Sequence, residues 1–402
     1  MKQPPLINQL KKILDEYPDD GQILKEIIQN AEDAEASEMK VMFDGRSVND
    51  VDSKGGKPFT KYFKGPALCV YNNAQFTEED WEGIQMINSS VKEFDPVKIG
   101  RFGLGFKSVF HITDYPMIIS KNKMLILDPH QTKSERVCVL MKLKNLKKHT
   151  KEMSTSDCLS ALEGIFGFKQ DTLQSGRFKD NVYDEAKIND LFRAFKSEAS
   201  VELLFLKCLE RIELYTKNVS KLHSGDDLPI FTVNISNSCI QDARKKRKQL
   251  HEYMKSVGNS LAEKSFTTSY NMKIEMKGKN EQHTENEWYV MHCYKGGDMS
   301  KELKTLSQDE TLSYSPYVSL GLPLFHDQEF KGHVFCLMPL PLQNESLTGF
   351  PLHVNGYFAL TQNRRHVKWP TADQTKNKAH MDKTIRWNKC LVIEVWQRHI
   401  IC

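Results

Sequence analysis

The sequence lacks any apolar run long enough to cross a bilayer, and its first five residues lack the apolar core of a signal peptide. Its nine cysteines are scattered singly, and none forms a C-x-x-C pair. The composition therefore argues against a membrane span, a disulfide framework and a structural zinc site. We expect a cytoplasmic protein with reduced thiols.

Strong charge of one sign is also lacking. The net charge is +4 over 402 residues, which does not indicate nucleic acid binding. The one basic run, residues 244–248, is read as the solvated face of a charged helix. A nuclear signal or a phosphate patch is the alternative, and the absence of interleaved aromatic residues disfavours it.

The length favours at least two domains, and helices followed by hairpin-like strands predict an α+β fold. We expect helices at 4–17 and 24–34, a hairpin turning at Lys121 and Asn122, and further helical segments at 188–195 and 201–209. Thr77 to Asp80 can cap a helix. A polar, glycine-containing stretch at 218–227 reads as a linker, so we place a boundary between residues 1–217 and 218–402.

The segment 24–34 has two faces. Its apolar stripe follows helical spacing and comprises Ile23, Leu24, Ile27, Ile28, Ala31 and Ala34. Glu26, Asn30 and Asp33 follow i, i+4, i+7 spacing, so they share another face. A carboxylate that activates water and a neutral amide oxygen suit a hydrated metal ion with its polyphosphate. The alternative is a solvated polar face, which this segment alone favours.

A glycine-rich loop is the second motif. Gly100, Gly103 and Gly105 precede a predicted helix start at Phe106. Backbone N–H groups of such a loop can approach phosphate, and a helix N-terminus adds positive potential. The order G-x-x-G-x-G differs from dinucleotide-binding and P-loop spacing. Taken alone this is a weak signal, and a tight strand–helix connection is the commoner explanation of the glycines.

Together the two motifs resemble the GHKL ATPase superfamily, which includes the heat-shock chaperones and gyrase B subunits. Further segments are similar to the repeats of the sacsin family, and the resemblance covers nearly the whole chain. These segments are residues 17–26, 65–68, 71–74, 76–81, 128–131, 203–207, 339–342, 353–360 and 363–365. The resemblance implies a two-layer α/β sandwich with helices on one face of a mixed, largely antiparallel sheet. A second α+β domain similar to the chaperones' middle segment follows, shortened at its C-terminus.

The resemblance also implies ATP and Mg²⁺ as cofactors. Glu26 matches the general base, Asn30 the magnesium ligand and Asp33 a residue of the nucleotide pocket. The implied phosphate loop comprises Gly100, Gly103, Leu104, Gly105 and Phe106, with 84–99 as the lid; Lys107 and Ser108 lie just beyond it. Arg364 and Arg365 match an arginine that reaches the γ-phosphate, although a structural role through ion pairs or cation–π packing is favoured.

The chain departs from the superfamily pattern in two places. Asn72 and Asn73 replace an Asp-x-Gly-x-Gly motif whose carboxylate accepts a hydrogen bond from adenine. The neutral amide oxygen of Asn73 would accept this bond instead, and the bond would be weaker. A strand of alternating apolar residues normally lies between residues 164–167 and the next helix. Residues 176–183 run straight into a helix-like segment at 184–188, so we expect this strand to be missing. Both departures concern the adenine side of the pocket.

Two functions follow from these observations. The first is a chaperone or co-chaperone module that binds ATP–Mg²⁺, with slow hydrolysis coupled to lid closure and with client proteins or partner chaperones as partners. The second is a non-hydrolysing protein-interaction module. Glu26, Asn30 and the glycine loop favour the first, and the two departures favour the second. A histidine kinase is disfavoured, since no separate four-helix dimerisation segment with a phospho-accepting histidine is visible. The oligomeric state is left open.

Overall fold

A computed structural model describes part of the chain. The described residues are 14, 22–46, 65–85, 105–129, 138–143, 165–166, 172–177, 184–217, 228–258, 260–312, 314–324, 329–340, 346–361, 365–371 and 381–396. The predicted first helix (except residue 14), the predicted linker and all of the lid except residues 84 and 85 lie outside these ranges.

Helices are interspersed among runs of strands along the described ranges. The helices are α1 Gln22–Asp33, α2 Glu78–Gln85, a 3₁₀ helix Gly105–His111, α3 Glu185–Glu202, α4 Ile240–Val257, α5 Lys301–Ser307, α6 Lys383–Cys390 and a π-helix Leu391–Trp396. The strands are β1 Glu38–Asp44, β2 Ala67–Asn72, β3 Pro116–Ser120, β4 Lys123–Leu127, β5 Cys138–Lys142, β6 Thr172–Arg177, β7 Arg211–Lys217, β8 Phe231–Ile235, β9 Phe266–Gly278, β10 Thr284–Tyr294, β11 Tyr317–Pro323, β12 Val334–Cys336, β13 Met338–Pro339 and β14 His353–Gly356. Within the described ranges, no helix combines the length and the apolar character that a membrane crossing requires.

The fourteen described strands form one mixed sheet. Its order is β13-β12-β14-β11-β10-β9-β8-β7-β1-β2-β6-β3-β4-β5. Two neighbouring pairs are parallel, β1 with β7 and β12 with β14, and the other pairs are antiparallel. The α+β class is therefore confirmed. Strands β7 and β8 pair across the predicted boundary at residue 217, so the sheet continues through it, and the division into domains stays a prediction.

Both faces of the sheet are covered around strand β1. Val41 and Phe43 belong to the large core that α1 and α3 cover, whereas Met42 belongs to a second cluster on the opposite face. This alternation follows from the two-residue period of a strand. Ile165 and Phe166 contribute to the second cluster, so a segment before β6 packs on the face away from α1.

Two local predictions are confirmed. The hairpin of β3 and β4 turns at Lys121, whose φ of 54° is the left-handed conformation that tight hairpin turns require. Thr77 begins α2 with a reciprocal cap, in which the Asp80 N–H donates to Thr77 Oγ1 over 3.1 Å and the Thr77 N–H donates to Asp80 Oδ2 over 2.9 Å.

The prediction of a missing strand is wrong. Strand β6 lies just before Phe178 and pairs antiparallel with β2 on one side and β3 on the other. Its sequence, Thr-Leu-Gln-Ser-Gly-Arg, has little apolar alternation, which is why the pattern did not reveal it. Backbone hydrogen bonds to two neighbouring strands specify this segment, and they depend weakly on its side chains.

The predicted helix at 201–209 is also wrong. Helix α3 is longer than expected and ends at Glu202, and residues 203–209 then form an irregular segment, here called the buried connector. Leu203, Leu204, Phe205, Leu206 and Leu209 are each 0% exposed. The apolar residues of 203–209 follow helical spacing because the segment is buried on all sides, and its backbone is not helical.

Two charged side chains hold the buried connector from opposite sides. Glu32 of α1 accepts the N–H groups of Lys207 over 2.6 Å and Leu209 over 3.0 Å, and also that of Cys208. Arg247 of α4 donates to the carbonyl oxygens of Leu203 over 2.8 Å and Leu209 over 3.3 Å. Backbone groups that a helix would have satisfied are thus satisfied by side chains, which explains why the helix stops.

Glycine permits the connector to approach the sheet closely. A Cβ at Gly321 of β11 would lie 2.7 Å from Leu204 Cδ2 and 3.1 Å from Phe205 Cζ. The absence of a side chain at this position therefore lets the connector rest directly on the strand.

Replacing Arg247 tests this arrangement. Arg247→Met should lower the free energy of unfolding by about 3 kcal/mol, because the buried carbonyl oxygens of Leu203 and Leu209 lose their donors. Arg244→Met on the same helix is the control; its side chain is 53% exposed and pairs with Glu210, so a loss below about 1 kcal/mol is expected. Urea unfolding measures both, and equal losses would contradict the role of Arg247.

Candidate functional site

The polar row on α1 is buried. Ile23, Leu24, Ile27, Ile28 and Ala31 lie in the large core, as the apolar stripe predicts, whereas Ala34 lies beyond the end of α1 and is exposed. Glu26 is only 1% exposed and Asp33 7%, and Asn30 is half-buried. Carboxylates are rarely buried without partners, so this row is not the solvated face of an ordinary amphipathic helix.

The 3₁₀ helix that begins at Gly105 packs against α1. This places the end of the glycine-rich loop beside the helix that carries Glu26, Asn30 and Asp33. Phe106 lies half-buried in a cluster with Trp81 and Phe110. The structure therefore places Gly105, the last glycine of the loop, in an element that packs against α1, although Gly105 follows Asp33 by 72 positions in the sequence.

Lys107 and Ser108 are buried in the same 3₁₀ helix, at 8% and 2% exposure. Burial lowers the pKa of Lys107, because a low-dielectric surrounding disfavours the charged ammonium. An anion such as a phosphate would favour the charged form at this position.

Asn30 has a buried amide nitrogen, Nδ2, with no hydrogen-bond partner among the described residues. Buried amides normally find partners, so this nitrogen is a donor that a ligand or a water can satisfy. Its two amide atoms can exchange positions by rotation about the last side-chain bond, which would aim the oxygen the same way. This fits a side chain that contacts Mg²⁺ or the phosphates that Mg²⁺ bridges.

No group of three or more histidine, cysteine, aspartate or glutamate side chains is placed to hold a metal ion in the described part of the chain. A magnesium ion at Asn30 would take its remaining ligands from nucleotide phosphates and water, as Mg²⁺ commonly does.

Asp33 lies near the positive charge of Lys207 in the buried connector. Burial opposes the charge of Lys207, but Tyr357, Glu32 and Asp33 together raise its pKa above the ordinary value. The Lys207 ammonium also donates to the Tyr357 hydroxyl over 3.4 Å. The last turn of α1 thus lies near a half-buried cation.

Asn73 lies at the exposed end of β2 and is already hydrogen-bonded. Its amide oxygen accepts the N–H groups of Ser37 over 2.9 Å and Glu38 over 3.2 Å, and its amide nitrogen donates to Ser37 Oγ over 2.8 Å. These bonds tie β2 to the start of β1. The adenine contact implied for Asn73 stays a prediction.

Several predicted site residues fall outside the described ranges. They are Gly100, Gly103, Leu104 and Arg364. Arg365 is described and lies half-buried in the loop that the Leu360–Val367 bridge closes. Its role at the γ-phosphate stays a prediction.

Comparison with known proteins adds independent findings. A family model described as "Sacsin domain" matches residues 3–229. The chain is also 36% identical over 430 aligned residues to the Homo sapiens protein named Sacsin. That alignment covers 98% of this chain and 9% of the human protein, so the chain spans a small part of the relative's length.

Sequence reasoning missed a buried charge cluster next to Glu26. The Lys25 ammonium lies 2.5 Å from Glu198 Oε2 of α3 and donates to the Pro339 carbonyl oxygen over 2.9 Å. Lys25 is 9% exposed and Glu202, one turn beyond Glu198, is 1% exposed. The sequence offered one signal for this cluster, the spacing of Glu198 and Glu202. Like charges four residues apart destabilise a helix unless other groups compensate them.

The cluster holds two carboxyl groups and one ammonium. Burial raises the pKa of Glu202 to about 8; Lys25 opposes this shift and Glu198 adds to it. At neutral pH the carboxyl of Glu202 therefore keeps its proton. The imidazole of His333 also faces Glu198; its pKa is lowered by burial and partly restored by that carboxylate.

The shifted pKa predicts a dependence of stability on pH. The folded state keeps a proton on Glu202 that the unfolded chain releases, so stability falls between about pH 4.5 and about pH 8. Glu202→Gln removes this dependence, and its Tm relative to the unmodified chain should rise by about 2 °C or more from pH 5 to pH 8. Glu252→Gln, at an exposed carboxylate of α4, is the control. Parallel pH profiles for Glu202→Gln and the unmodified chain would contradict the assignment.

Proposed function

The chain belongs to the sacsin family, and from that premise we propose that it is a sacsin-like chaperone or co-chaperone module that binds ATP with Mg²⁺. The proposal includes the finer fold class, a two-layer sandwich of the GHKL ATPase type. Client proteins or partner chaperones and a cytoplasmic location are part of the same proposal.

One observation carries the proposal. The buried polar row of α1 lies against the 3₁₀ helix that ends the glycine-rich loop, and the row includes an orphaned amide at Asn30. A buried amide costs free energy unless it finds a partner. A magnesium-bound polyphosphate would supply one to Asn30, and backbone N–H groups at Gly105 and Phe106 suit its negative charge.

Each residue of the site has a part in this proposal. Asn30 holds Mg²⁺, and Asp33 lines the pocket. Residues 100–106 contact the phosphates. Mg²⁺ neutralises negative charge on the phosphates when it is bound. The buried carboxylate of Glu26 orients and deprotonates the attacking water. Slow hydrolysis is therefore the proposed activity.

The alternative is a protein-interaction module that does not hydrolyse ATP. The hydrogen bonds that already occupy Asn73 favour it, because they leave the adenine side without its implied acceptor. Strand β6 favours the first proposal, because the sheet beside β2 is continuous there. Binding and turnover therefore need separate tests.

Magnesium-dependent binding is tested at Asn30. At a concentration of one hundred times Kd, ATP should stabilise the chain by about 2.7 kcal/mol, seen as a rise in Tm only when Mg²⁺ is present. Asn30→Ala should remove most of this rise, because the metal loses its one protein ligand. Gln75→Ala, at an exposed position after β2, is the control. If the unmodified chain shows no magnesium-dependent shift, the ATP-binding proposal fails and the interaction module is favoured.

Turnover is tested at Glu26. Glu26→Ala should reduce ATP hydrolysis by about 10²-fold or more, the usual contribution of a general base, while leaving nucleotide affinity largely intact. Glu35→Ala, at a half-exposed carboxylate just beyond α1, should hydrolyse ATP at the unmodified rate. Phosphate release measures turnover, and isothermal titration measures affinity. Equal turnover in Glu26→Ala and the unmodified chain would sink the catalytic role.

A further inference from the structure

Lys25 connects the helix that carries Glu26 to the far end of the sheet. Its ammonium donates to the carbonyl oxygen of Pro339, which belongs to the edge strand β13. It also pairs with Glu198 of α3. Successive residues of a helix point about 100° apart, so a fixed Lys25 also fixes the direction in which Glu26 points.

The carbonyl of Pro339 is itself held in place by a strained turn. Leu337, between β12 and β13, has a φ of 66°, a left-handed conformation that is unfavourable for leucine. Its N–H donates to Asn355 Oδ1 over 2.7 Å, and Asn355 Nδ2 donates to Ser319 Oγ over 2.9 Å. Such a conformation persists only where the surroundings hold it, so strands β14 and β11 determine where Pro339 lies.

The surroundings of Lys25 make this contact costly to break. The ammonium is buried with Glu198 and Glu202, and the contact joins three parts of the chain, α1, α3 and β13. Removing one partner of a buried charge pair leaves the other charge unpaired in a low-dielectric surrounding. The helix α1 is therefore tied to the turn at 337–339 by a contact that is costly to break.

We propose that Lys25 is a positioning residue, through which the turn at 337–339 sets the orientation of α1 and hence of Glu26 and Asn30. A rearrangement of the second half that moves Pro339 would release α1 and change the geometry of the site. The consequence for ATP rests on the proposed function, whereas the consequence for α1 itself does not.

Hydrogen exchange without nucleotide tests the tie. In the full chain, Lys25→Met keeps the apolar stem and removes the ammonium, so amide exchange in α1 should become about tenfold faster. Exchange in β9 and β10 should not change. Lys25→Arg keeps the positive charge and should keep most of the protection of α1. Lys245→Met, at an exposed lysine of α4, should leave this protection unchanged. Unchanged exchange of α1 in Lys25→Met would overturn the proposal.

A second variant covers the case in which Lys25→Met folds poorly. Lys25→Met combined with Glu198→Gln removes the carboxylate that would be left unpaired, so the Tm should recover while exchange in α1 stays fast. Recovery of both would mean that charge burial, and not the contact with Pro339, holds α1, and the proposal would fall.

Nucleotide measurements separate this inference from the proposed function. If the chain hydrolyses ATP, Lys25→Met should lower kcat about tenfold or more with a smaller change in KM, because Glu26 is misoriented after substrate has bound. An unchanged kcat alongside fast exchange would contradict the link to Glu26. If the unmodified chain does not bind ATP, the proposed function fails while the exchange result alone decides whether Lys25 positions α1.

Discussion

A pair of opposed charges holds the buried connector between α1 and α4. Glu32 reaches the buried connector from α1 and accepts its N–H groups, while Arg247 reaches it from α4 and donates to its carbonyl groups. Burial opposes the charge of Arg247, yet Tyr270, Glu32 and Glu210 raise its pKa, so the guanidinium stays charged. Each charge replaces hydrogen bonds that a helix would have supplied, and each is stabilised by the other across the connector.

This arrangement extends to the turn that contacts Lys25. A row of buried hydrogen bonds runs from Arg247 through Tyr270, His292, Tyr317 and Ser319 to Asn355. Burial lowers the pKa of His292 to about 3, so its neutral ring can donate from one nitrogen and accept at the other. The connector and the strained turn at Leu337 therefore share one network, and α1 is tied to it at Glu32 and at Lys25.

Much of the local structure could be predicted from the sequence. The hairpin at Lys121, the cap at Thr77 and the apolar stripe of α1 depend on neighbouring residues, and all three are confirmed. The pairing of the glycine-rich loop with the polar row came from resemblance, and the packing of the 3₁₀ helix on α1 agrees with it. Strand β6 could not be predicted, because its strand character depends on partners supplied by distant segments.

Residue types and short spacings are enough to identify the family, the α+β class and the polar row on α1. The burial of that row, the end of the helix at Glu202 and the contacts of Lys25 with Glu198 and Pro339 arise only in the folded chain. Those outcomes depend on contacts between residues up to 314 positions apart. Burial in such contacts changes the energetic cost of each charge, and this cost cannot be deduced from a local sequence pattern.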